Sequence, residues 1–252
     1  MLKKRLIPVL LLKNGRMVKG QQFRDYRDTG DPISASRIYN AQKADEMMFL
    51  DIDASRDGRN ALLQVVQKVS EECFMPFTVG GGVRSIDDIR DLLHAGADKV
   101  LINTSTATNP SLVEQAANMF GRQCIVSGVD VRRENGKYRI YTYCGNQPTD
   151  LDLPQHIQKL EAMGTGEFLI NSIDRDGMMN GYDGDLLKMV VSMTKRPVIA
   201  CGGAGNFQHL FDAFDLYGVH AVACASLFHF GDNNPIRARA FLKNAGIPVK
   251  NV

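Results

Sequence analysis

The stretch Phe77–Thr106, FTVGGGVRSIDDIRDLLHAGADKVLINTST, reads as an apolar strand, a triple-glycine turn, an amphipathic helix and a second strand ending in Asn-Thr. A related arrangement returns over Pro197–Ser226, PVIACGGAGNFQHLFDAFDLYGVHAVACAS. The copies align at Pro76-Phe-Thr-Val-Gly-Gly with Pro197-Val-Ile-Ala-Cys-Gly-Gly, and at Asp98-Lys-Val-Leu-Ile-Asn with His220-Ala-Val-Ala-Cys-Ala. Glycines between a strand end and a helix start let backbone N–H groups point at an anion, and the helix dipole adds positive charge there. One such turn is equally well explained by tight-turn geometry. Two at equivalent places suit a ligand with a phosphate at each end.

The same alternation runs through the whole chain. Short apolar runs at Leu6–Leu11, Met47–Asp51, Pro76–Val79, Lys99–Ile102, Cys124–Val129, Glu167–Asn171, Val198–Cys201 and Ala221–Cys224 suit parallel strands buried on both faces. Helical periodicity falls between them, at Pro32–Lys43, Arg59–Glu72, Ile86–His94, Pro110–Met119, Pro154–Met163, Leu186–Thr194, Phe207–Leu216 and Pro235–Ala245. Asn109-Pro110 and Asn234-Pro235 look like helix starts, and Ser85-Ile-Asp-Asp88 resembles a capping box. Eight strand–helix units are the count of an α/β (β/α)8 TIM barrel, and the duplication makes it a barrel of two similar half-barrels. No linker separates the halves, so residues 1–252 read as one domain. Two insertions stand out. Gly20–Asp31 is polar and glycine-flanked, a candidate mobile lid, and Arg132–Cys144 carries an Asn135-Gly136 hairpin turn.

Composition excludes several classes of function. A formal net charge of +2 leaves no nucleic-acid or membrane-surface footprint. Five cysteines without a C-x-x-C pair give neither a disulfide framework nor a zinc knuckle, which fits a reducing cytoplasm. The opening MLKKRLIPVLLLK imitates a signal peptide, but its apolar run is short, holds a proline and lacks a cleavage site, so it reads as the first strand. No run approaches the length of a membrane span. No metal cluster or dinucleotide fingerprint is visible, and no cofactor is expected.

Active sites of such barrels lie at the strand C-termini. Those ends carry Leu11, Asp51, Gly80–Gly82, Asn103-Thr104, Asp130, Asn171 followed by Asp174-Arg-Asp176-Gly177, Gly202-Gly203 and Ala225-Ser226. Asp130 follows IVSGV, where burial would tune its pKa for acid–base work; the alternative is a partner for Arg132 or Arg133. Asp51 and Asp176 suit orientation of loops and hydrogen bonds. Lys19 and Arg16, near the lid, would steer anions to the mouth. Cys73, His220 and His229 read as structural.

Over essentially its whole length the chain resembles the cyclase subunit of imidazole glycerol phosphate synthase. The matching segments are Lys13-Asn-Gly-Arg-Met-Val-Lys-Gly20, Phe49-Leu-Asp-Ile, Phe77-Thr-Val-Gly-Gly-Gly82, Ala97-Asp-Lys-Val, Ile102-Asn-Thr, Ser172-Ile-Asp-Arg-Asp-Gly177, Gly181-Tyr-Asp183 and Ala204-Gly205. The resemblance implies a barrel that docks a glutaminase at its N-terminal face and passes ammonia along its axis. At the C-terminal face, ammonia would attack a phosphoribulosyl intermediate to give imidazole glycerol phosphate and an aminoimidazole carboxamide ribotide. It also implies phosphate sites at Gly82, Asn103 and Thr104, and at Asp176, Gly177, Gly203, Ala225 and Ser226, with Asp130 as a catalytic carboxylate. Lys19, Asp51 and Asn171 join the substrate-binding set.

The chain departs from that pattern at the first strand, where the family ends in aspartate and this sequence has Leu10-Leu11-Leu12-Lys13. Leu11 cannot move a proton. Asn171 replaces a usual threonine, Met178 a small polar residue, and Cys201 a common serine. The positions of the family's ammonia gate, Arg5, Glu46, Lys99 and Glu167, keep their expected charges. A self-satisfied salt-bridge plug is the other reading of that ring. Asp98 matches a contact to the glutaminase. The leading expectation is a barrel that conducts ammonia from a glutaminase to another synthetase, such as an amidating enzyme of surface-sugar biosynthesis, with cyclisation weakened or lost. A working cyclase is the second expectation. A sibling isomerase or phosphate-binding module is the third, weakened by Leu11 and by the gate.

Overall fold

Strands with apolar residues on both faces need cover on both, and a closed barrel under a coat of helices supplies it. The computed structural model describes residues 3–54 and 63–251. Twelve strands appear among them: β1 Arg5–Lys13, β2 Arg16–Gln21, β3 Arg24–Gly30, β4 Met47–Asp51, β5 Phe77–Gly80, β6 Lys99–Ile102, β7 Ile125–Glu134, β8 Lys137–Thr142, β9 Gln147–Pro148, β10 Glu167–Ser172, β11 Val198–Cys201 and β12 Ala221–Cys224. Eight of these close a parallel ring in the order β1, β4, β5, β6, β7, β10, β11, β12 and back to β1. All eight expected strands are present, and the fold is a (β/α)8 barrel.

Alternation along β1 shows how the sequence divides between two cores. Leu6, Leu10 and Leu12 join the large cluster shared with the helices. Ile7 and Val9 belong with Met48, Leu101, Val126, Leu169 and Ile199 in a smaller cluster, which fills the barrel interior. Leu11, half-buried, continues that inner row at the C-terminal end.

The helices among the described residues are α1 Pro32–Ala41, α2 Leu63–Glu72, α3 Ile86–His94, α4 Thr104–Thr108, α5 Ser111–Phe120, α6 Leu153–Ala162, α7 Gly184–Met193, α8 Phe207–Asp215, α9 Ser226–His229 and α10 Pro235–Asn244. The expected start of one helix, at Arg59, lies outside the described residues. The Ser85–Asp88 capping box forms in both directions, and Asn234 caps α10 by accepting from Arg237 N. Asn109 does not cap α5. It ends α4 instead, and its side chain accepts from the Ser111 hydroxyl. The sequence reading missed α4 and α9, which are too short for a helical period to register.

Both insertions are hairpins. Asn135 and Gly136 take φ of 48° and 78°, the pair of left-handed residues that a two-residue turn between β7 and β8 needs. The insertion expected as a lid is a second hairpin, β2–β3, growing antiparallel from the end of β1. It is tied to the loop after β10: Gln22 N donates to Asp176 O at 2.8 Å and Gln22 Nε2 to Asp174 O at 3.0 Å.

Candidate functional site

The C-terminal ends of the barrel strands surround a cavity, and all eight strand ends contribute residues to its lining, though Gly80, Asp174 and Arg175, also singled out from the sequence, are not among them. Leu11, Asp51, Asn103, Asp130, Asn171 and Ala225 come from strand ends, with Gly82, Thr104, Asp176, Gly177, Gly203 and Ser226 from the turns behind them. Lys19 reaches in from β2. The hairpins add three residues that sequence reasoning did not place here: Phe23, Tyr26 and Cys144. Two aromatic residues inside the otherwise polar run GQQFRDYRDTGD are the signal that could have found the first pair.

Asp130 sits at the centre. It is 8 % exposed and takes hydrogen bonds from Asn103 Nδ2 at 2.9 Å and Asn171 Nδ2 at 3.3 Å. Asn171 stands directly across from it in the β7–β10 register. Burial pushes the Asp130 carboxyl up to about 7, against the pull of the two amides, and the nearby Asp176 charge pushes the same way. A carboxyl poised near neutrality suits proton transfer. The alternative partnership with the neighbouring arginines is not formed: Arg132 lies near Asp174 at 3.8 Å and Arg133 near Asp185 at 3.7 Å. Arg133, three residues on, lies on the other face of β7, and Arg132, in phase with Asp130 but farther along the strand, is taken up by Asp174 and the Tyr141 ring, 4.8 Å away.

Lys19 is not a solvated steering charge. It is 3 % exposed, and its ammonium binds both Asp176 oxygens, at 2.9 and 2.8 Å. The pair ties the hairpin to the barrel mouth beside the Gln22 contacts. Arg16 is exposed and pairs with Asp28 at 2.8 Å within the hairpin, so it too is engaged. Asp51 orients its own loop, its Oδ1 accepting from Asp53 N at 3.1 Å and Ala54 N at 3.2 Å.

The duplicated turns share a left-handed glycine pair. β5 ends at Gly80 and β11 at Cys201, so Gly81 and Gly82, at φ of 115° and 66°, correspond to Gly202 and Gly203, at 84° and 115°. A Cβ at Gly81 would come within 2.4 Å of Asp51 O, and one at Gly203 within 2.2 Å of Gly181 O, so neither turn tolerates a side chain. The residues that precede α4 and α9 also match, Asn103 at φ −114°, ψ −84° and Ala225 at φ −109°, ψ −76°, and neither caps its helix with a side chain. The two half-barrels therefore present the same glycine turns and the same uncapped backbone to one cavity.

Leu11, Leu50, Leu101 and Leu169 make the rest of the mouth apolar, with Cys201 among them. Burial holds the Cys201 thiol far above its ordinary range, with Asp176 adding to the effect, so it is a protonated, apolar neighbour. His229 is pushed down to about 4 by burial; it bonds Tyr39 Oη at 2.8 Å and Val9 O at 2.9 Å, a structural role. His220 Nδ1 accepts from Val198 N at 3.2 Å. Cys73 is buried at the end of α2.

Charge lies at the opposite end of the interior. Arg5 contacts Glu46 at 2.5 Å and Glu167 at 2.7 and 3.2 Å, and Lys99 contacts both carboxylates at 2.9 Å. The four side chains close a ring across the N-terminal end, each charge facing two of opposite sign. Burial works against the Arg5 charge, but the carboxylates of Glu167 and Glu46 outweigh it and hold the guanidinium up. Burial likewise opposes ionisation of Glu167, and Arg5 with Lys99 outweighs it and holds that carboxyl below its usual range. Asp98 is exposed on this face, its Oδ2 accepting from Phe77 N at 2.9 Å.

Among the described residues no group of three or more His, Cys, Asp or Glu is placed to hold a metal ion, and no helix is long and apolar enough to cross a membrane. The sequence matches the family described as Histidine biosynthesis protein over residues 5–234, which takes in every barrel strand and both glycine turns. With that match and a closed eight-stranded parallel barrel, the chain belongs to the histidine biosynthesis protein family.

Proposed function

We propose that this barrel receives a glutaminase subunit at its N-terminal face, around Asp98, and conducts the ammonia it releases to the C-terminal mouth, with cyclase activity of its own weakened or lost. The observation that carries the reading is Leu11. It stands in the mouth with Asp130, where the cyclase pattern has a second carboxylate, while the Arg5, Glu46, Lys99 and Glu167 ring at the other end is complete. Removing one acid–base group costs about 10²–10⁴ in rate. A closed ring of buried charges gains little stability over apolar packing, so its retention fits a passage better than a plug.

The interior between ring and mouth supports the same reading. Ile7, Val9, Met48, Leu101, Leu169 and Ile199 offer no partner to a cation. An ammonium ion stripped of water there would be strongly disfavoured, whereas neutral ammonia would not. Ring side chains must part for it to enter, since the present contacts leave every charge engaged. The acceptor would be a further amidating synthetase, of the kind used in surface-sugar biosynthesis, working beside or upon the mouth. Phosphate-bearing ligands would sit between the glycine turns at Gly82 and Gly203, with Asp130 and Asn171 between them.

Asp130 favours a second reading, an active cyclase of the histidine pathway that works with one carboxylate. Its pKa near 7 is that of a competent general acid or base. One experiment separates the two. Turnover of the phosphoribulosyl intermediate is measured with excess ammonium salt and no partner, which takes the glutaminase and the passage out of the assay. No turnover in folded protein that stimulates a glutaminase supports delivery. Turnover at an ordinary cyclase rate refutes the proposal.

A further inference from the structure

α6 buries Leu153, His156, Ile157 and Leu160, and His156 is the polar residue among them, 4 % exposed. A buried imidazole is unfavourable unless it is hydrogen-bonded. Its partner is the Thr106 hydroxyl on α4, 3.4 Å from Nε2. Thr106 is itself buried, and its N–H and its hydroxyl both donate to Asn103 O, at 2.8 and 2.7 Å. A hydroxyl has one proton to give. With that proton on Asn103 O, Thr106 Oγ1 can only accept from His156, so Nε2 carries a proton. Burial pushes the imidazole down to about 4, and the Lys159 charge adds to the effect, which leaves the ring neutral.

The same contacts lead into the mouth, where Asn103 Nδ2 donates to Asp130 Oδ2 at 2.9 Å. Asn103 is thus held at both ends, by Thr106 at its carbonyl and by the carboxylate at its amide. The other half-barrel has no such brace. At the equivalent place Phe228 N donates to Ala225 O at 3.0 Å, and neither residue has a polar side chain. The brace is present where the turn residue has an amide to aim. We infer that Thr106 and His156 are positioning residues for Asp130: by bracing Asn103 they keep its amide on the carboxylate that works in the mouth.

The inference rests on Asp130 as the working carboxylate, under either reaction considered above, but its test needs no substrate and no partner. The titration of the Asp130 carboxyl carbon is followed by NMR. The other titratable groups around Asp130 are Asp51, Asp176 with Lys19 upon it, Tyr26 and Cys201, which belong to β4, the loop after β10, the β2–β3 hairpin and β11. Substitutions in α4 and α6 leave all of them in place. Thr106→Val keeps the shape of the side chain and removes the hydroxyl, while the Ser105 hydroxyl still ties α4 to Val83 O at 2.6 Å. Because the Asn103 amide favours the ionised carboxylate, Asp130 should then titrate about half a pH unit higher. Thr106→Ser should restore the parent titration. His156→Leu should shift Asp130 in the same direction, and His156→Gln, which keeps an N–H, should not. In the Asn103→Ala background, where the amide is gone, Thr106→Val should have no further effect. Unchanged titration in either folded variant, Thr106→Val or His156→Leu, or an equal shift in the Asn103→Ala background, overturns the inference. The expected shifts in a protein whose mouth carries no reaction support the brace and count against the reading of the mouth alone.

Discussion

Removing Lys99 tests whether the charged ring is balanced in the way its contacts imply. The ring holds two cations and two carboxylates, with side chains only about a tenth to a fifth exposed: 21 % for Arg5, 9 % for Glu46, 16 % for Lys99 and 13 % for Glu167. Lys99→Met deletes both 2.9 Å contacts and leaves one negative charge in excess. Glu167 keeps its paired contacts with Arg5, whereas Glu46 keeps one contact. Breaking a fully buried ion pair costs about 3–5 kcal/mol, and residual solvation here lowers that to about 2–3 kcal/mol. The double variant Lys99→Met with Glu46→Gln removes one charge of each sign and leaves Arg5 on Glu167. It should recover to within about 1 kcal/mol of the parent, because replacing a buried pair as a pair is nearly neutral. Denaturant unfolding of the parent, the single and the double variants measures both figures. A double variant as unstable as the single would refute the charge balance, and the ring would then stabilise the barrel through the shape of its side chains. Transfer of glutaminase-derived ammonia in the double variant completes the comparison. A stable barrel with disturbed transfer marks a passage, and a stable barrel with unchanged transfer argues against one.

Leu11→Asp restores a second carboxylate to the mouth and should raise cyclase turnover with ammonium salt by about 10²–10⁴; no gain would show that more than this proton carrier is missing. Asp130 in the folded chain holds its proton to about pH 7, far above an unfolded aspartate, so its contribution to stability is full in acid and is lost as pH rises toward 7. Asp130→Asn should therefore abolish any turnover yet stabilise the barrel above neutrality by on the order of 2–4 kcal/mol, a gain that vanishes in acid and is read from unfolding curves across pH. Lys19→Met strands the Asp176 carboxylate and should cost about 3–5 kcal/mol, with the hairpin of residues 16–30 losing amide protection before the barrel does; uniform loss of protection would refute the hairpin's local attachment.

The barrel was legible because its signals are periodic and repeated. Each strand is a short apolar run buried on both faces, and the duplicated glycine turns mark equivalent places in two halves. Strand ends follow from strands, so the sequence alone assigns Asp130, Asn171 and Gly203 to one mouth. What could not be read is contact across the chain. Lys19 looks like a solvated loop lysine in its own neighbourhood, and only its meeting with Asp176, far along the sequence, buries it. Phe23 and Tyr26 look like surface residues of a polar insertion until the hairpin folds over the mouth. Asn109 carries the cap signature of a helix start, but the short α4 ends on it and takes it out of position.

Gly177 shows how that hairpin reshapes the meaning of a motif. In the sequence it belongs to Ser172-Ile-Asp-Arg-Asp-Gly177 and is assigned to phosphate binding by resemblance. In the barrel its φ is 72°, and a Cβ there would stand 2.2 Å from Gly20 O and 3.0 Å from Gln21 Cα. A side chain at 177 would thus collide with the hairpin whether or not a phosphate binds. Gly145, at φ 75°, is confined in the same way by Phe23, 2.8 Å from its notional Cβ. Two glycines on separate loops therefore make room for one arm, and the Lys19–Asp176 pair fixes that arm from within. Any ligand that needs Asp176 must either share it with Lys19 or draw the lysine away, and drawing it away releases the strongest hold on the hairpin. For a ligand of the second kind, occupation of the Asp176 side of the mouth and release of the arm would be one equilibrium.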